Sequence, residues 1–436
     1  MKLFGSSGIR GLVNTDISVE LAVNVGEVIG TLHKRVVLGH DPRTSSQLFL
    51  HAITSGLLST GCEAFFAGMV TTPTLAYAAR NFDCGIMITA SHNPPEYNGI
   101  KFFNPDGSGF GATQMEEVEG MINENRSSRA QARDISYPRT YHNAIEEHMR
   151  SIKDSIGSLD LKVVVDCGCG AASTITPLLF RRLGCEVLTL NCQPDGFFPG
   201  RASEPKRENL GALMEAVVAN KAHLGIAHDG DADRMVAVDE KGKFVDGDSL
   251  LALYAKHEVH TSIVVPVSAS IAIDNIVGNA KVIRTKVGDV FISEMLREKK
   301  GDFGGEPSGT WIFPRHCLCP DGVFAAARLA ELVQKEPLSD QIDILPRYPR
   351  KKGTIACPNE MKERIPALVK ENLASLDYED LSNVDGVRIQ FPDAWALIRA
   401  SGTEPKIRLT VEAENENMAE TLYDKVYEVV KGCVKP

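Results

Sequence analysis

Three apolar runs near the start of the chain decide its fold class: VVLGHD at 36–41, CEAFFAG at 62–68 and CGIMITA at 84–90. Each is short and rich in β-branched or aromatic side chains, as buried strands are. The segments between them, 47–59 and 74–81, have the amphipathic pattern of helices. Because strands alternate with helices, this part of the chain is predicted to form an α/β domain.

The same alternation begins again at LKVVVDCGCG (161–170) and at SIVVPVSAS (262–270). The polar run 126–134 is interpreted as a linker. The C-terminal segment differs, because the basic stretch 347–352 is expected to precede a helix, three strands and a final amphipathic helix at 417–430. We therefore predict three similar α/β domains and a smaller C-terminal α+β domain, with the bounds 1–133, 134–250, 251–346 and 347–436.

The composition limits the classes of function. The chain has 436 residues, of which 43% are apolar and 24% charged, and its net charge is −10. This disfavours general binding to nucleic acid or to an anionic membrane, because both need a basic surface. The first residues lack the apolar core of a signal peptide, and the most apolar stretch, 262–276, is interrupted by polar residues. We expect a soluble, cytoplasmic monomer or homodimer whose partner is a small molecule.

Ten cysteines form no clear metal motif. Cys167 and Cys169, and Cys317 and Cys319, are C-x-C pairs, whereas zinc sites usually have a two-residue spacer. Buried, reduced thiols are the favoured interpretation.

The first polar loop, TASHNPP at 89–95, follows an apolar strand. Ser91 beside His92 is a candidate nucleophile, since a hydroxyl needs a neighbouring base or an electrostatic activator. Lys101 adds a cation for a phosphate. A proline-stabilised turn, in which Ser91 and Asn93 only bond the backbone, is the alternative.

The second loop, HDGDADR at 228–234, has carboxylates at alternate positions. Asp229, Asp231 and Asp233 offer the hard oxygen ligands that Mg²⁺ prefers. A calcium loop is excluded because Arg234 stands where that motif needs glycine. A solvated acidic turn is the remaining alternative, but it is not expected between two apolar strands.

Two further loops suit a phosphorylated sugar. GGEPSGT at 304–310 offers a carboxylate and hydroxyls for sugar hydroxyls, or else is a plain surface turn. RASGTEPKIR at 399–408 can surround a phosphate with two arginines and free amides, or else is a salt-bridged hairpin. A glycine-rich run at 168–173 resembles a dinucleotide loop but lacks its last glycine and the acidic residue for a ribose.

The order and spacing of these loops resemble the α-D-phosphohexomutase superfamily over nearly the whole chain. ITASHNPPEYNGIKFF is similar to its phosphoserine loop, DGDADR to its metal loop, GEPSGT to its sugar loop and RASGTEPKIR to its phosphate loop. SSGIRG near the start and HDPRTSS at 40–46 are similar to further family signatures. The resemblance implies mixed sheets in the α/β domains and a central active-site cleft between the four domains.

The resemblance also implies a reversible isomerase. Phosphorylated Ser91 would give its phosphoryl group to a hexose phosphate, and the bound 1,6-bisphosphate would reorient and return its other phosphate. Mg²⁺ would be held by Asp229, Asp231, Asp233 and an oxygen of phosphorylated Ser91. The catalytic residues would be Ser91, His92, Lys101 and Arg10. The substrate-binding residues would be Arg234, Gly288, Asp289, Glu306, Ser308, Arg399, Ser401, Gly402, Thr403 and Arg408.

The choice of sugar depends on two short segments. TKVGD at 285–289 resembles the phosphoglucosamine mutase branch, which implies glucosamine 6-phosphate as substrate and glucosamine 1,6-bisphosphate as intermediate or activator. Bacterial members of that branch have histidine where this chain has Thr310, and Thr310 followed by Trp311 resembles archaeal-type members. Mannose or glucose phosphates in the same site, a metal-dependent sugar phosphatase and a non-catalytic sensor are the alternatives.

Overall fold

The computed structural model describes residues 3–5, 8–362, 364–373, 376–401 and 405–434. The chain divides into two compact units. The first unit comprises Met1–Leu250 and Gly288–Asp343, and the second comprises Leu251–Val287 and Ile344–Pro436.

A mixed sheet begins the first unit. Its strands are β1 (Phe4–Gly5), β2 (Gly8–Leu12), β3 (Arg35–His40), β4 (Glu63–Met69), β5 (Cys84–Ile88), β6 (Tyr97–Phe103) and β7 (Arg139–Thr140). Their spatial order is β1-β2-β6-β5-β3-β4-β7. β3, β4 and β5 pair in parallel, whereas β5 and β6 pair antiparallel. The three strands predicted from the sequence are therefore confirmed as β3, β4 and β5.

Four helices cover this sheet: α1 (Val19–Leu32), α2 (Ser46–Ser59), α3 (Thr72–Ala78) and α4 (Ala112–Asn123). The segments 47–59 and 74–81 predicted α2 and α3, whereas α1 was not predicted from the sequence. α1 packs closely against α2, and a Cβ atom on Gly26 would lie 2.1 Å from the carbonyl oxygen of Ile53. Glycine is therefore required at this helix crossing, although glycine and valine within a helix weaken its signal in the sequence.

The second mixed sheet has the order β12-β11-β10-β8-β9. Its strands are β8 (Lys162–Asp166), β9 (Glu186–Leu190), β10 (Leu224–His228), β11 (Met235–Val238) and β12 (Phe244–Val245). The helices of this region are α5 (Ala144–Ile156), α6 (Thr176–Leu183) and α7 (Gly211–Ala219). Ala171–Thr174 forms a 3-10 turn before α6, and Pro177 lies in the first turn of the helix.

The chain then crosses into the second unit along α8 (Gly247–Glu258). There, β13 (Ser262–Pro266) and β14 (Lys281–Thr285) pair in parallel on either side of α9 (Ala272–Ile276). It returns to the first unit as α10 (Asp289–Lys299), the antiparallel pair β15 (Phe303–Glu306) and β16 (Thr310–Ile312), α11 (Gly322–Val333) and α12 (Leu338–Asp343).

The C-terminal part of the second unit is an antiparallel sheet packed against two helices. Its strands are β17 (Arg350–Ala356), β18 (Asp380–Ser382), β19 (Val387–Phe391), β20 (Ala394–Ala400) and β21 (Lys406–Ala413), and its helices are α13 (Ile365–Glu371) and α14 (Glu416–Val434). The strand order is β17-β21-β20-β19-β18. The basic stretch 347–352 precedes helix α13, as expected, but strand β17, which begins at Arg350, lies between them.

Two further features concern the chain as a whole. All ten cysteines lie within the described residues and are free thiols. Across those same residues, no helix combines the length and the apolar composition needed to cross a bilayer.

Candidate active site

Ser91 lies in the loop after β5 and has a left-handed backbone conformation, with φ of 52°. Its amide donates to Thr89 Oγ1 at 2.8 Å. Its hydroxyl Oγ donates to Asp229 Oδ2 at 2.6 Å and lies 3.3 Å from His92 Nδ1. A non-glycine residue in this region of φ/ψ space is strained and persists only where its surroundings hold it.

Arg43 supplies much of that support. Its guanidinium donates to the carbonyl oxygens of Ser91, Asn93, Pro94 and Tyr97 at 2.9, 2.6, 2.6 and 3.1 Å. Its Nε lies 3.0 Å from Asp41 Oδ2, and both side chains are fully buried. The planar, five-donor guanidinium suits this set of acceptors, so one side chain fixes the course of the whole loop.

The carboxylates of Asp229, Asp231 and Asp233 follow β10 and converge. One oxygen from each lies within 4.8 Å of the others. Asp231 Oδ1 and Asp233 Oδ1 are buried and have no hydrogen-bond partner among the described residues. Buried carboxylate oxygens left without a proton donor are costly unless a cation compensates them. The three side chains therefore fit a divalent cation with a preference for hard oxygen ligands.

Lys101 binds two of these carboxylates, and Thr72 binds one of them. Lys101 Nζ on β6 lies 2.9 Å from Asp231 Oδ2 and 2.6 Å from Asp233 Oδ2. Thr72 Oγ1, in the first turn of α3, donates to Asp231 Oδ2 at 2.5 Å. These contacts use Oδ2 of Asp231 and of Asp233, so Oδ1 of each stays without a hydrogen bond among the described residues. They also join the sheet that carries the serine loop to the aspartate loop.

Burial and neighbouring charges shift the pKa values of the ionisable groups in this site. Burial, followed by the like charges of Asp233 and Asp231, raises the pKa of Asp229 well above its ordinary value. Burial opposes ionisation of Asp231, but Lys101 and Thr72 outweigh it and lower its pKa. Burial also opposes the charge on Lys101, and Asp231 and Asp233 nevertheless raise its pKa. Burial and the cations Arg234 and Arg10 lower the pKa of His92 to about 3.

The serine and aspartate loops touch through their backbones. A Cβ atom on Gly230 would lie 2.6 Å from the Ser91 carbonyl oxygen and 2.8 Å from Ser203 Oγ. Ser203 Oγ itself donates to the Ser91 carbonyl at 3.1 Å. Arg201 holds the other side of the aspartate loop, because its Nη2 donates to the carbonyl of His228 at 2.6 Å. Glycine is required at 230 so that the nucleophile and the carboxylates can approach.

The predicted sugar loop joins β15 to β16. Glu306 Oε1 accepts a hydrogen bond from the amide of Gly288 at 2.8 Å, and Oε2 accepts one from Ser308 Oγ at 3.2 Å. Burial raises the pKa of Glu306. Thr310 forms an isolated β-bridge with Arg234, which places the sugar loop directly beside the end of the aspartate loop. The structure therefore brings these three predicted elements together.

Arg10 and Asp289 lie at the edge of this group. Arg10 Nη1 donates to Asn93 Oδ1 at 3.0 Å, so it contacts the serine loop and not Ser91 itself. Asp289, in the first turn of α10, lines a narrow cavity together with Gly8 and Lys101.

The predicted phosphate loop lies in the second unit. Arg399 on β20 and Arg408 on β21 are direct cross-strand partners, and Arg399 Nε lies 3.0 Å from Asp385 Oδ2. The amide of Ser401 donates to the Lys406 carbonyl at 2.9 Å, and Lys362 Nζ donates to the Ser401 carbonyl at 2.7 Å. Gly402 and Thr403 lie outside the described residues.

Four models of one family match the chain in succession. Phosphoglucomutase/phosphomannomutase α/β/α domains I, II and III match residues 1–129, 139–242 and 246–348, and the family's C-terminal domain matches residues 355–429. The chain belongs to the phosphoglucomutase/phosphomannomutase family. The expected fold class is thereby confirmed as three α/β domains with mixed sheets and a C-terminal domain with an antiparallel sheet.

Individual family members are similar over their full lengths. A probable phosphoglucosamine mutase of Methanocella arvoryzae is 52% identical over 100% of this chain and 99% of its own. One of Methanosarcina barkeri is 49% identical, with 100% of both chains covered. A crystal structure of a phosphoglucomutase/phosphomannomutase family protein from Burkholderia thailandensis has a TM-score of 0.90 and 26% identity, covering 99% of this chain and 97% of that one.

Several residues that shape the site of this phosphoglucomutase/phosphomannomutase family member were not identified from the sequence. Arg43 was quoted only within a signature segment, and Thr72, Arg201 and Ser203 were not singled out. These side chains bind backbone carbonyls or a carboxylate that is distant in the sequence. The signature HDPRTSS carried a signal for Arg43 alone among these four residues.

Proposed function

We propose that the chain is a phosphoglucosamine mutase, which reversibly converts glucosamine 6-phosphate to glucosamine 1-phosphate through a phosphoserine enzyme and a bound 1,6-bisphosphate. The contact of 2.6 Å between Ser91 Oγ and Asp229 carries this proposal. It places a strained, firmly held hydroxyl against a group of three convergent carboxylates, which is the arrangement that phosphoryl transfer requires. The names of the archaeal relatives and the segment TKVGD at 285–289 support glucosamine as the sugar.

Asp229, Asp231 and Asp233, together with an oxygen of phosphorylated Ser91, would hold Mg²⁺. The unpartnered oxygens Asp231 Oδ1 and Asp233 Oδ1 support this assignment. The bound ion supplies neutralisation of phosphoryl charge during transfer. Lys101 would keep the aspartate cluster compact, because its single positive charge contacts two of the three carboxylates.

Ser91 carries the phosphoryl group, and the residues around it position that group. The backbone of the serine loop is held by Arg43, so Oγ stays directed at the aspartate loop. In the first transfer, the bond between Ser91 Oγ and phosphorus breaks while a sugar hydroxyl oxygen bonds to phosphorus, and the hydroxyl proton passes to the departing Ser91 Oγ. His92, Lys101 and Arg10 surround the transferring group with hydrogen-bond donors and positive charge.

The remaining predicted residues bind the parts of the substrate that do not react. Glu306 and Ser308 bind sugar hydroxyls, with Gly288, Asp289 and Arg234 around them. Arg399, Ser401, Gly402, Thr403 and Arg408 bind the second phosphate, and the pairing of Arg399 with Arg408 supports a dianion site there. Reorientation of the bisphosphate then exchanges the two phosphates between these positions.

Four domains with the bounds 1–133, 134–250, 251–346 and 347–436, arranged around a central cleft, belong to the same proposal. Such a cleft would exclude water from the phosphoryl group, which is what separates a mutase from a phosphatase. The cytoplasmic location, the state as monomer or homodimer and the absence of nucleic-acid or membrane partners stay predictions from composition.

The proposal is tested with the phosphorylated, Mg²⁺-loaded protein and the 6-phosphates of glucosamine, glucose and mannose, compared side by side by ³¹P NMR. Glucosamine 1-phosphate should form fastest. Faster formation of glucose or mannose 1-phosphate would replace the substrate and keep the mechanism. Free phosphate as the main product would identify a phosphatase and contradict the mutase assignment.

A further inference from the structure

A second convergent cluster lies outside the active site, within the first unit. It consists of His148 on α5, His316 in the loop between β16 and α11, and Asp321 at the N-terminus of α11. We call it the His-His-Asp cluster. His148 Nε2 and His316 Nε2 lie 2.9 and 3.3 Å from the same oxygen, Asp321 Oδ2. All three side chains are at most 3% exposed.

The opposite atom of each side chain is already engaged. His148 Nδ1 lies 2.9 Å from Thr74 Oγ1, and His316 Nδ1 lies 3.4 Å from Ser151 Oγ. Asp321 Oδ1 accepts the amides of Val323 and Phe324, which caps α11. Metal-binding histidines usually use their second nitrogen in this way, which fixes the ring and turns the ligating nitrogen inward.

One atom of the cluster has no hydrogen bond among the described residues. His316 Nε2 is buried, and its approach of 3.3 Å to Asp321 Oδ2 lacks hydrogen-bond geometry. The hydrogen bond between His148 and Asp321 satisfies one imidazole and leaves the other facing the same carboxylate oxygen. An unsatisfied buried nitrogen is costly, whereas a cation between the three atoms would satisfy all of them.

The rings cannot turn away easily. Tyr77 stacks on both imidazoles with ring centroids 5.4 Å apart in each case, and Phe324 stacks on His316 at 4.3 Å. Tyr77 and Ser151 also line a groove that opens to the surface. The groove therefore lies beside two side chains that contact the cluster.

We propose that the His-His-Asp cluster binds a divalent transition metal, with Zn²⁺ as the expected ion. Two imidazole nitrogens and one carboxylate oxygen match the donors of Zn²⁺ and differ from the all-oxygen set proposed for Mg²⁺. Water would complete a tetrahedral shell. The site would join α3, through Thr74 and Tyr77, to α5 and to the segment before α11, which come from the matches to family domains I, II and III. It is a structural site, and it does not depend on the proposed mutase activity.

The test uses the full-length protein with Asp231→Asn and Asp233→Asn, so that the aspartate loop does not compete for the ion. The chelator-treated protein is titrated with Zn²⁺, followed by metal analysis, and with Co²⁺, followed by visible absorption. We expect one ion per chain and the intense bands of tetrahedral, nitrogen-ligated Co²⁺. We expect His316→Ala to weaken Zn²⁺ binding by more than the roughly 10- to 100-fold that loss of an outer hydrogen-bond partner causes.

His142→Ala is the matched control, because His142 is an exposed histidine just before α5. Ser151→Ala, which removes only the outer partner of His316, should weaken binding by about 10- to 100-fold and keeps the test valid if His316→Ala does not fold. Equal Zn²⁺ affinity in His316→Ala and His142→Ala would overturn the proposal. Absence of tetrahedral Co²⁺ bands in the starting protein would overturn it as well.

Discussion

Arg43 donates a hydrogen bond of 2.9 Å from Nη2 to the carbonyl oxygen of Ser91, although 48 residues separate the two in the sequence. The same guanidinium donates to three further carbonyls in and next to the serine loop, and its Nε forms an ion pair with Asp41. The left-handed backbone of Ser91 is thus stabilised by a buried ion pair that never touches the hydroxyl. Arg43 is therefore a positioning residue, and its effect on catalysis is separable from substrate binding.

Arg43→Lys should reduce kcat at least tenfold with little change in KM, because lysine keeps the charge but cannot reach four carbonyls. The free energy of unfolding should fall by roughly 1.5–3 kcal/mol, the contribution of a hydrogen bond to a charged group. Steady-state kinetics and urea unfolding measure the two effects. Arg35→Lys is the control, since Arg35 is half exposed and bonds the Asn81 carbonyl. A rise in KM with unchanged kcat would contradict the positioning role.

Asp233→Asn should weaken Mg²⁺ binding at least tenfold, which corresponds to about 1.4 kcal/mol. The change keeps the volume of the side chain and removes a negative charge whose second oxygen has no partner among the described residues. Calorimetric Mg²⁺ titration and the Mg²⁺ dependence of turnover measure it. Asp239→Asn is the matched control, because Asp239 Oδ1 accepts the amides of Lys241 and Lys243 in its own turn. Identical affinities in the two variants would remove Asp233 from the metal site.

Glu306→Gln should lower kcat/KM for glucosamine 6-phosphate by roughly 10- to 100-fold, since hydrogen bonds to a charged group contribute about 1.5–3 kcal/mol. The carboxylate is held by Gly288 and Ser308 in an orientation that glutamine only half reproduces. Initial rates over a range of substrate concentrations measure the effect. Glu240→Gln, which contacts Ser339 away from this loop, should leave kcat/KM unchanged. If both variants behave alike, Glu306 has no role in sugar binding.

Cys192 should react with iodoacetamide at lower pH than the other thiols. The hydrogen bond from Cys167, with sulfur atoms 3.7 Å apart, lowers the pKa of Cys192 to about 7 from an ordinary value of 9.0. The thiolate is the reactive form, so the alkylation rate should rise as the pH passes through about 7 and then level off. Peptide mass spectrometry between about pH 6 and about pH 9 measures it.

Cys167→Ala is the informative variant for this thiol. It removes the S–H donor, so the midpoint of Cys192 alkylation should move upward, toward the ordinary range. Cys84 is fully buried and its pKa is raised by that burial, so it should stay unmodified in both proteins. An unchanged midpoint in Cys167→Ala would show that the sulfur contact does not set the reactivity.

The sequence predicted the strands that are buried on both faces and the loops that follow them. β3, β5, β8 and β10 are continuous apolar runs, and such runs carry a strong signal. α11 was missed because it is apolar almost all round and has no clear periodicity. α5 was missed because buried His148 interrupts its apolar face.

The active-site residues likewise form two groups, those that could be recognised in the sequence and those that could not. Ser91, Asp229, Asp231 and Asp233 were recognisable because each loop concentrates reactive side chains within a few residues. Arg43 and Thr72 were not, since their partners are carbonyls or a carboxylate brought close only by folding. The His-His-Asp cluster was equally hidden, because 173 residues separate His148 from Asp321.

The most direct test of a phosphoserine mutase identifies the source of the phosphate in the first product. Unlabelled phosphorylated protein is mixed with glucosamine 6-phosphate whose phosphate carries ¹⁸O, and a single turnover is analysed by mass spectrometry. Transfer through phosphorylated Ser91 predicts unlabelled glucosamine 1-phosphate and ¹⁸O on the peptide that contains Ser91, with neither product formed by Ser91→Ala. Labelled glucosamine 1-phosphate beside an unlabelled Ser91 peptide would contradict it.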